Sequence, residues 1–466
     1  MTRTLTAAAL LLFLITSRAF ASGVMESTDS FGPFGTLHIY KSSEQPKHVT
    51  LFISGDGGWN LGVIDMARSL AELDSMVVGI DITHYIKRLN AGSEKCAYPA
   101  AHFEALSQYL QKKYRFPHYT LPVLVGYSSG ATMVYATFAQ SPPNTFAGGI
   151  SMGFCPDLKT AKPFCKGSGS LTGTYDSKLG FIYQPVPALA SKLYVMQGDV
   201  DRVCSTPDTK AFLNRINGAE LIELAKVGHG FSVQKNWMPQ FRDAFQKISV
   251  VRPPPMTPVH VTDELSDLPL VVLPATGKSD TLAVMVSGDG GWAGIDKQVA
   301  EALNKDGIAV VGLNSLQYFW EKKDPGIAGK DLARILDHYS KAWGAEKFIL
   351  VGYSSGADTL PFMTSRLPDS LQSRVKVVAL LGPGKEANFE FHVSEWLFNI
   401  DSPYKVIPEM QKLKGMNVLC IYGEDENDSA CKPLDRKDFA VIEMKGGHHF
   451  SGDYEKLADT ILTHAR

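Results

Sequence analysis

Two serines stand in the pattern Gly-x-Ser-x-Gly, and each follows a short apolar run. The first is Ser128 in LPVLVGYSSGATMVYA, and the second is Ser354 in KFILVGYSSGADTLPF. The pattern is typical of a strand that turns sharply into a helix and exposes a serine hydroxyl at the apex of the turn. Such a hydroxyl attacks a carbonyl carbon when a neighbouring imidazole removes its proton. Because the whole context occurs twice, we predict two nucleophiles rather than two surface turns.

An acid and a histidine follow the second serine along the chain. The apolar run MNVLCIYG leads into GEDEND, where the usual third position after the strand-end glycine selects Glu426. Asp425 and Asp428 remain open as alternatives. The base lies in GGHHF, where alignment with the earlier VGHGF selects His448 over His449.

The first half of the chain contains the same order. Asp201 lies in QGDVD after the run KLYVM, and His229 lies in VGHGF. An acid that orients an imidazole beside a serine is the arrangement that activates the hydroxyl for acyl transfer. The chain is therefore predicted to contain two catalytic triads. Their members are Ser354, Glu426 and His448 in the second copy, and Ser128, Asp201 and His229 in the first.

The motif SGDGGW also occurs twice, at positions 54–59 and 287–292. Its small residues let backbone N–H groups approach a reacting carbonyl, as in the oxyanion loops of serine hydrolases. In the second copy we expect the oxyanion to be bound by the N–H groups of Asp289 or Gly290 and of Ser355. A phosphate-binding loop is the rival reading, but the lysine and the spacing of a P-loop are missing. The matching candidates in the first copy are Asp56 or Gly57 and Ser129.

These motifs require elements that hold them at one edge of a sheet. Strand-like apolar runs such as HVTLFIS, MVVGID and FILVGYS alternate with helical stretches such as IDMARSLAEL and IDKQVAEALNKDG. Alternation of this kind predicts an α/β fold with a mostly parallel, doubly wound sheet. Since SGDGGW, the elbow and the terminal histidine motif recur in the same order, we predict two tandem α/β-hydrolase-like domains.

The expected boundaries follow from composition. Residues 1–21 resemble a cleaved signal peptide, because the apolar run AAALLLFLI is too short to span a bilayer comfortably and precedes a small-x-small cleavage site. The first domain is predicted at 22–252, a proline-rich linker at 253–264, and the second domain at 265–466. Export would place the protein in the periplasm of a Gram-negative bacterium.

Composition excludes some classes of function. The chain has 466 residues with 44% hydrophobic content and a formal net charge of −2, so it offers no basic field for nucleic acid. The six cysteines are expected to form disulfides in an oxidising compartment, with Cys420 paired to Cys431 and three pairings open for the others. Their spacing is not that of a zinc site, and neither a metal nor another cofactor is expected.

Two features distinguish the second copy. The segment ANFEFHVSEWLFNIDSPY, at positions 387–404, is rich in aromatic residues, which either cap the pocket or pack on the sheet. Asp358 lies one helical turn beyond Ser354, where the first copy has Thr132, and its carboxylate is a candidate for binding a cationic substrate group. We therefore expect the second copy to perform the main chemistry. The aromatic residues are Phe389, Phe391, Trp396, Phe398 and Tyr404.

At SGDGGW, QYFW and GYSSGADTLPF the chain resembles the AcvB/VirJ family of bacterial periplasmic virulence proteins. The resemblance covers essentially the whole chain after residue 21, and the two-copy layout is similar to AcvB. It implies an α/β-hydrolase that removes lysine from lysyl-phosphatidylglycerol at the periplasmic face of the inner membrane, with Ser354 as the nucleophile and His448 or His449 as the base. A role in type IV secretion is also implied by the family.

The expected function is thus that of an exported serine esterase acting on an aminoacylated phospholipid. Residue patterns alone predict the serine hydrolase, whereas the lipid substrate comes only from the resemblance. The alternative is a periplasmic adaptor of a secretion system that keeps a hydrolase fold without catalysis, since a fold does not determine a function.

Overall fold

The computed structural model describes residues 23–250, 263–391 and 402–466, apart from positions 93, 168, 276, 278 and 293. The predicted signal peptide and most of the predicted linker lie outside the described residues. Within the described ranges, no helix is both long enough and apolar enough to cross a membrane.

The first half of the chain forms an eight-stranded sheet in the order β1-β2-β4-β3-β5-β6-β10-β11. The pairs from β4 to β11 are parallel, whereas β1 and β2 are antiparallel to their neighbours. Three short strands, β7, β8 and β9, form a separate small sheet. The strands are β1 Met25–Phe31, β2 Gly35–Lys41, β3 His48–Ile53, β4 Ser75–Ile80, β5 Val123–Tyr127, β6 Gly148–Met152, β7 Asp157–Leu158, β8 Gly173–Asp176, β9 Gly180–Tyr183, β10 Ala188–Gly198 and β11 Asn217–Leu224.

Helices cover both faces of this sheet, so its central strands are buried throughout. Strand β4, for example, has no exposed residue, which is why it reads as a continuous apolar run rather than an alternating one. The helices are α1 Gly62–Ala71, α2 Ile82–Ala91, α3 Pro99–Lys113, α4 Ser129–Gln140, α5 Thr206–Leu213 and α6 Met238–Val250.

The second half repeats this plan with a seven-stranded sheet in the order β12-β14-β13-β15-β16-β19-β20. Only β12 runs antiparallel to its neighbour within it. The strands are β12 Leu270–Leu273, β13 Thr281–Val286, β14 Ala309–Leu313, β15 Lys347–Tyr353, β16 Val375–Leu381, β17 Glu386–Ala387, β18 Tyr404–Lys405, β19 Val418–Gly423 and β20 Ala440–Met444. The helices are α7 Gly294–Lys305, α8 Ser315–Tyr318, α9 Pro325–Trp343, α10 Ser355–Thr364, α11 Asp369–Gln372, α12 Val406–Gln411 and α13 Tyr454–Ala465.

The predicted α/β class is confirmed in both halves, and the chain has two tandem α/β-hydrolase-like units. The strand β3 and the strand β5 are neighbours, so the loop after β3 and the turn after β5 meet at the C-terminal ends of the strands. Strands β13 and β15 have the same relationship in the second half. The sheet order thus brings SGDGGW beside the serine elbow in each domain.

The two domains contact each other through a small aromatic cluster, which we call the interdomain cluster. It consists of Tyr119 and Leu121 from the first domain and Leu316, Trp320 and Phe391 from the second. Tyr119 and Trp320 are almost fully buried there, with 6% and 3% of their surface exposed.

Candidate active sites

Both serines adopt the backbone geometry of a nucleophile elbow. Ser128 has φ 54° and Ser354 has φ 52°, which is the left-handed region that non-glycine residues rarely occupy. Each serine ends a strand and directly precedes a helix, α4 in the first domain and α10 in the second. Strain of this kind is retained when the surrounding structure fixes it, and here it presents the hydroxyl at the C-terminal ends of the strands.

The glycines on either side of Ser128 allow the helix to lie close to the sheet. A Cβ at Gly126 would stand 2.0 Å from the carbonyl oxygen of Gly130, and a Cβ at Gly130 would stand 2.3 Å from that of Ile53. The second domain has the same restriction at Gly356, where a Cβ would approach Val286 O to 2.1 Å. A side chain at these positions would push helix and strand apart and displace the serine.

The predicted members of the first triad come together in a continuous chain of hydrogen bonds. Ser128 Oγ lies 3.0 Å from His229 Nε2, and His229 Nδ1 lies 2.8 Å from Asp201 Oδ2. The carboxylate of Asp201 is buried and also accepts hydrogen bonds from the backbone N–H groups of Val203 and Cys204 and from the Gln197 amide. With the acid fixed, the imidazole is oriented so that Nε2 faces the serine.

The second domain has the acid–histidine pair but not the serine contact. His448 Nδ1 lies 2.6 Å from Glu426 Oε1, and Glu426 Oε2 accepts the backbone N–H of Gly423 at 2.6 Å. No hydrogen bond joins the Ser354 hydroxyl to His448 in this state of the protein, and the His448 side chain is 40% exposed against 17% for His229. The complete hydrogen-bonded arrangement therefore lies in the first domain, whereas the sequence leads us to expect the main chemistry in the second.

Opposing effects act on the pKa of Glu426. Burial alone would raise this pKa, but the hydrogen bonds from His448 and from the Gly423 N–H outweigh burial and hold it below its usual value. Glu426 is therefore ionised at neutral pH, as an acid that orients an imidazole must be.

The other residues considered as the acid or the base of the second centre make different contacts. Asp425 is exposed and does not hydrogen-bond to His448, so the catalytic role considered for it is not supported. Asp428 pairs with Lys385 at 3.0 Å. His449 Nδ1 lies 3.1 Å from the hydroxyl of Tyr353, and burial followed by the charge of His448 lowers the pKa of His449.

Glycines also seat the two histidine rings. Gly153 has φ 64°, and a Cβ there would stand 3.1 Å from Cε1 of His229. Gly382 has φ 60°, and its Cβ would stand 2.9 Å from Cε1 of His448. These glycines follow β6 and β16, which are the strands between the elbow strand and the acid strand. The rings therefore pack directly against backbone, which limits their rotation.

The SGDGGW loop lies beside each serine, as predicted. A Cβ on Gly55 would stand 3.1 Å from Ser128 Cβ, and a Cβ on Gly288 would stand 3.4 Å from Ser354 Cβ. Ser129 and Ser355 are the first residues of their helices, where the N–H group has no partner within the helix and is available to an oxyanion.

Of the candidates on the second loop, Asp289 is half-buried, whereas Gly290 is exposed and an added Cβ there would contact nothing. Asp289 directly follows Gly288, which contacts the nucleophile, so its N–H is the better placed of the two. The tryptophan of the motif has a structural role, because the Trp292 ring lies over Gly312 of β14, where a Cβ would be 2.1 Å away.

Asp358 is not placed as expected for a substrate-binding residue. Its Oδ1 accepts the backbone N–H of Gly384 at 2.6 Å, so the carboxylate holds the loop after β16. The matching Thr132 of the first domain donates to the carbonyl of Cys155 at 2.5 Å and holds the equivalent loop. Asp358 and Thr132 therefore each hold the loop after the neighbouring strand, Asp358 as a hydrogen-bond acceptor and Thr132 as a donor.

Two tyrosines contribute contacts that the sequence reasoning missed. Tyr127 donates its hydroxyl to the backbone carbonyl of His229 at 3.0 Å, and Tyr353 donates to that of His448 at 3.3 Å. Each tyrosine is the variable residue before the serine in Gly-x-Ser-x-Gly. The presence of tyrosine at this position in both copies is the sequence signal that points to this contact.

Disulfides connect the loops that position the acids. Cys155, which follows β6, is bonded to Cys204, whose N–H contacts Asp201. Cys420 pairs with Cys431 as predicted, and this bond closes the loop that contains Glu426. The third bond, between Cys96 and Cys165, lies in the first domain. The three disulfides fit an exported protein.

Comparison with known structures returned α/β serine hydrolases and esterases of low sequence identity. A serine hydrolase homologue from Coxiella burnetii has 17% identity, a TM-score of 0.30, and coverage of 48% of this chain and 95% of its own. A serine hydrolase without a lid from Xanthomonas campestris has 18% identity, a TM-score of 0.30, and coverage of 49% and 94%. The esterase Est1E from Butyrivibrio proteoclasticus has 12% identity, a TM-score of 0.32, and coverage of 50% and 100%.

A search of curated proteins found no match. The family model described as bacterial virulence protein (VirJ) matches residues 47–151 and 280–466, which together are more than half of the chain. Both matched ranges include an SGDGGW loop and a serine elbow, and the second extends through Glu426 and His448. The chain belongs to the VirJ family of bacterial virulence proteins.

Proposed function

We propose that this protein is an exported, periplasmic serine esterase that hydrolyses the aminoacyl ester of lysyl-phosphatidylglycerol to lysine and phosphatidylglycerol. The observation that carries the esterase proposal is the hydrogen-bonded chain from Ser128 through His229 to Asp201. The lipid substrate is supported by the resemblance to AcvB-like proteins. Each domain would hold one catalytic centre at the C-terminal ends of its strands.

The proposed reaction has two steps. His229 accepts the proton of Ser128 as the serine oxygen attacks the ester carbonyl, and the resulting oxyanion accepts hydrogen bonds from the Ser129 N–H and the SGDGGW loop. The protonated His229 then gives its proton to the departing glycerol oxygen of the lipid. A water molecule, deprotonated by the same imidazole, releases lysine from the acyl-enzyme and restores Ser128.

The second centre would use Ser354, His448 and Glu426 in the same roles. In the present state no hydrogen bond joins His448 to Ser354, so the imidazole must move before it can accept the proton. The exposure of this ring leaves room for that movement. We therefore propose activity at both centres, with only the first arranged for reaction in the absence of substrate.

The test uses vesicles that contain lysyl-phosphatidylglycerol and measures free lysine. Wild type should release lysine, the variants Ser128→Ala and Ser354→Ala should each retain part of the activity, and the double variant should be inactive. A fluorophosphonate should label both serines, as peptide mass analysis would show. A wild-type protein that neither releases lysine nor reacts with the fluorophosphonate would favour the non-enzymatic adaptor.

A further inference from the structure

The loop that carries the base makes the same backbone turn in both domains. In the first domain the N–H of Phe231 donates to the carbonyl of Gly228 at 3.1 Å. In the second the N–H of Phe450 donates to the carbonyl of Gly447 at 2.9 Å. The two phenylalanines also share a left-handed backbone, with φ 47° and φ 48°. The base lies inside this turn in each case, so the path of the backbone does not explain why only His229 is hydrogen-bonded to its serine.

One side chain in this turn differs between the domains. The residue after the base is Gly230 in the first domain and His449 in the second. The Nδ1 atom of His449 lies 3.1 Å from the hydroxyl of Tyr353, and the same hydroxyl lies 3.3 Å from the carbonyl oxygen of His448. The Tyr353 hydroxyl therefore has two polar neighbours, and both belong to the loop that carries the base.

These two neighbours compete for one proton. A phenol hydroxyl donates a single hydrogen bond, and a neutral imidazole has one nitrogen that accepts. Burial and the charge of His448 outweigh the opposing charge of Glu426 and lower the pKa of His449, so its ring is neutral at pH 7. When Nδ1 is the accepting nitrogen, the proton of Tyr353 goes to His449 and the carbonyl of His448 loses its donor.

The first domain lacks this competitor, and its base takes a different position. Because Gly230 has no side chain, the hydroxyl of Tyr127 is left to the carbonyl of His229, which it reaches at 3.0 Å. The rings of Tyr127 and His229 are 5.8 Å apart, whereas those of Tyr353 and His448 are 5.1 Å apart. The base thus lies nearer to its tyrosine in the domain where it is not hydrogen-bonded to the serine.

We propose that His449 is a positioning residue of the second active site, where it accepts the phenol proton of Tyr353 and so keeps His448 from bonding to Ser354. The inference rests on the proposed esterase function and goes beyond it, because it names the side chain that makes the two centres unequal. With the phenol proton drawn to His449, the loop that carries His448 is not tied to the elbow as the first loop is tied through Tyr127.

The kinetic test isolates the second centre with Ser128→Ala and uses p-nitrophenyl acetate. Adding His449→Ala should raise kcat about 5-fold with little change in KM, because one neutral hydrogen bond is redirected to the base loop. His449→Asn, whose amide can occupy the position of Nδ1, should stay close to the parent. A kcat that falls or does not change in His449→Ala would overturn the inference.

The matched control is His464→Ala. His464 belongs to α13, and its carbonyl accepts from the side chain of Asn417, which directly precedes β19. This contact lies at the end of β19 remote from Glu426, so the control should keep the kcat of the parent. A similar rise in both alanine variants would overturn the role assigned to His449.

A double-mutant cycle with Tyr353→Phe tests the shared proton itself. Without the hydroxyl there is no proton to redirect, so adding His449→Ala to Tyr353→Phe should change kcat by no more than about 2-fold. A different cause would be the acid, because Glu426 is longer than Asp201 by a methylene group. A full rise that persists in the Tyr353→Phe background would point to that cause or to the space left by the imidazole, and would overturn the inference.

A crystal structure keeps the test independent of turnover. In Ser128→Ala/His449→Ala, Nε2 of His448 should lie about 3 Å from Oγ of Ser354, whereas Ser128→Ala alone should lack this bond. If the bond forms but no ester is cleaved, the esterase proposal fails and the positioning role of His449 stands. A His448 that stays unbonded to Ser354 in the variant, or that is already bonded in Ser128→Ala alone, would overturn the inference.

Discussion

The hydroxyl of Tyr127 donates a hydrogen bond of 3.0 Å to the backbone carbonyl of His229. This bond ties the loop that carries the base to the residue immediately before the nucleophile. Tyr127 is the chain neighbour of Ser128 and is hydrogen-bonded to the backbone of His229. It therefore helps to set the distance between the serine hydroxyl and the imidazole.

We expect Tyr127→Phe to lower kcat at the first centre about 5-fold, because losing a neutral hydrogen bond of about 1 kcal/mol lets the loop that carries His229 move away from Ser128. KM should change little, since the phenol does not contact substrate. Steady-state kinetics in the Ser354→Ala background measure both parameters. A rise in KM with unchanged kcat would assign Tyr127 to substrate binding instead.

The acid of the second centre is tested by Glu426→Gln. Neutralising an acid that orients the catalytic imidazole favours the wrong tautomer, and kcat should fall by about 10⁴. Asp425→Asn should stay close to wild type, because Asp425 is exposed and is not bonded to His448. Both variants are assayed on the Ser128→Ala background, and the reverse ranking would identify Asp425 as the acid.

Stability should depend on pH through Glu104. Its folded pKa of about 8 exceeds an unfolded value of about 4.3, so between them the folded protein keeps a proton that the unfolded chain has lost. The free energy of unfolding should therefore fall as pH rises across this interval and level off above it. Besides burial, the charge of Asp289 acts on Glu104, and the charge of Glu104 acts on Tyr98 and Tyr119; burial raises the pKa of both phenols, which stay neutral.

Thermal unfolding measured across the same interval checks this expectation. Glu104→Gln should show a flatter decline of the unfolding temperature with pH than wild type, and the control Glu346→Gln, at an exposed position of the second domain, should follow wild type. A Glu104→Gln protein that loses stability with pH as steeply as wild type would refute the assigned titration.

The disulfide between Cys155 and Cys204 should support catalysis at the first centre. The two cysteines are 49 residues apart in sequence, and Cys204 donates its backbone N–H to the carboxylate of Asp201. A crosslink of that span contributes about 3–4 kcal/mol of stability in the loop-entropy account. The paired variant Cys155→Ala/Cys204→Ala should therefore lose stability and lose kcat at the first centre.

The control removes the bond between Cys96 and Cys165, which does not adjoin the acid loop. That variant should lose stability but keep kcat at temperatures where it remains folded. Equal kcat in both paired variants would show that the acid loop holds its shape without the crosslink.

Much of the site was predictable because its motifs are local. The elbows, the SGDGGW loops and the His motifs each lie within a few residues, and the parallel sheet brings the ends of their strands together. The choice of Glu426 rested on strand-end spacing, and the geometry places its carboxylate on His448. Strands such as β6, with the sequence GGISM, escaped prediction because glycine gives them little propensity and tertiary packing decides their conformation.

Other features depend on contacts that no local pattern records. The contact of Asp358 with Gly384 joins residues on different elements, so the local sequence around the serine predicts a substrate ligand where the carboxylate instead holds a loop. The contact of Trp320 with Phe116 joins residues of different domains, so no pattern within either copy predicts it. The predicted aromatic segment is described only in part: Phe389 and Phe391 are buried, while Trp396 and Phe398 lie outside the described residues.

The seating of Trp320 against the first domain also bears on how the two copies evolve. A duplicated gene usually frees one copy to change or be lost while the other keeps the original role. Here Lys112 of α3 in one copy contacts Trp320 of the other, so a mutation at either position changes an interface that both copies share. Selection on either of these residues therefore acts on a contact that belongs to both copies.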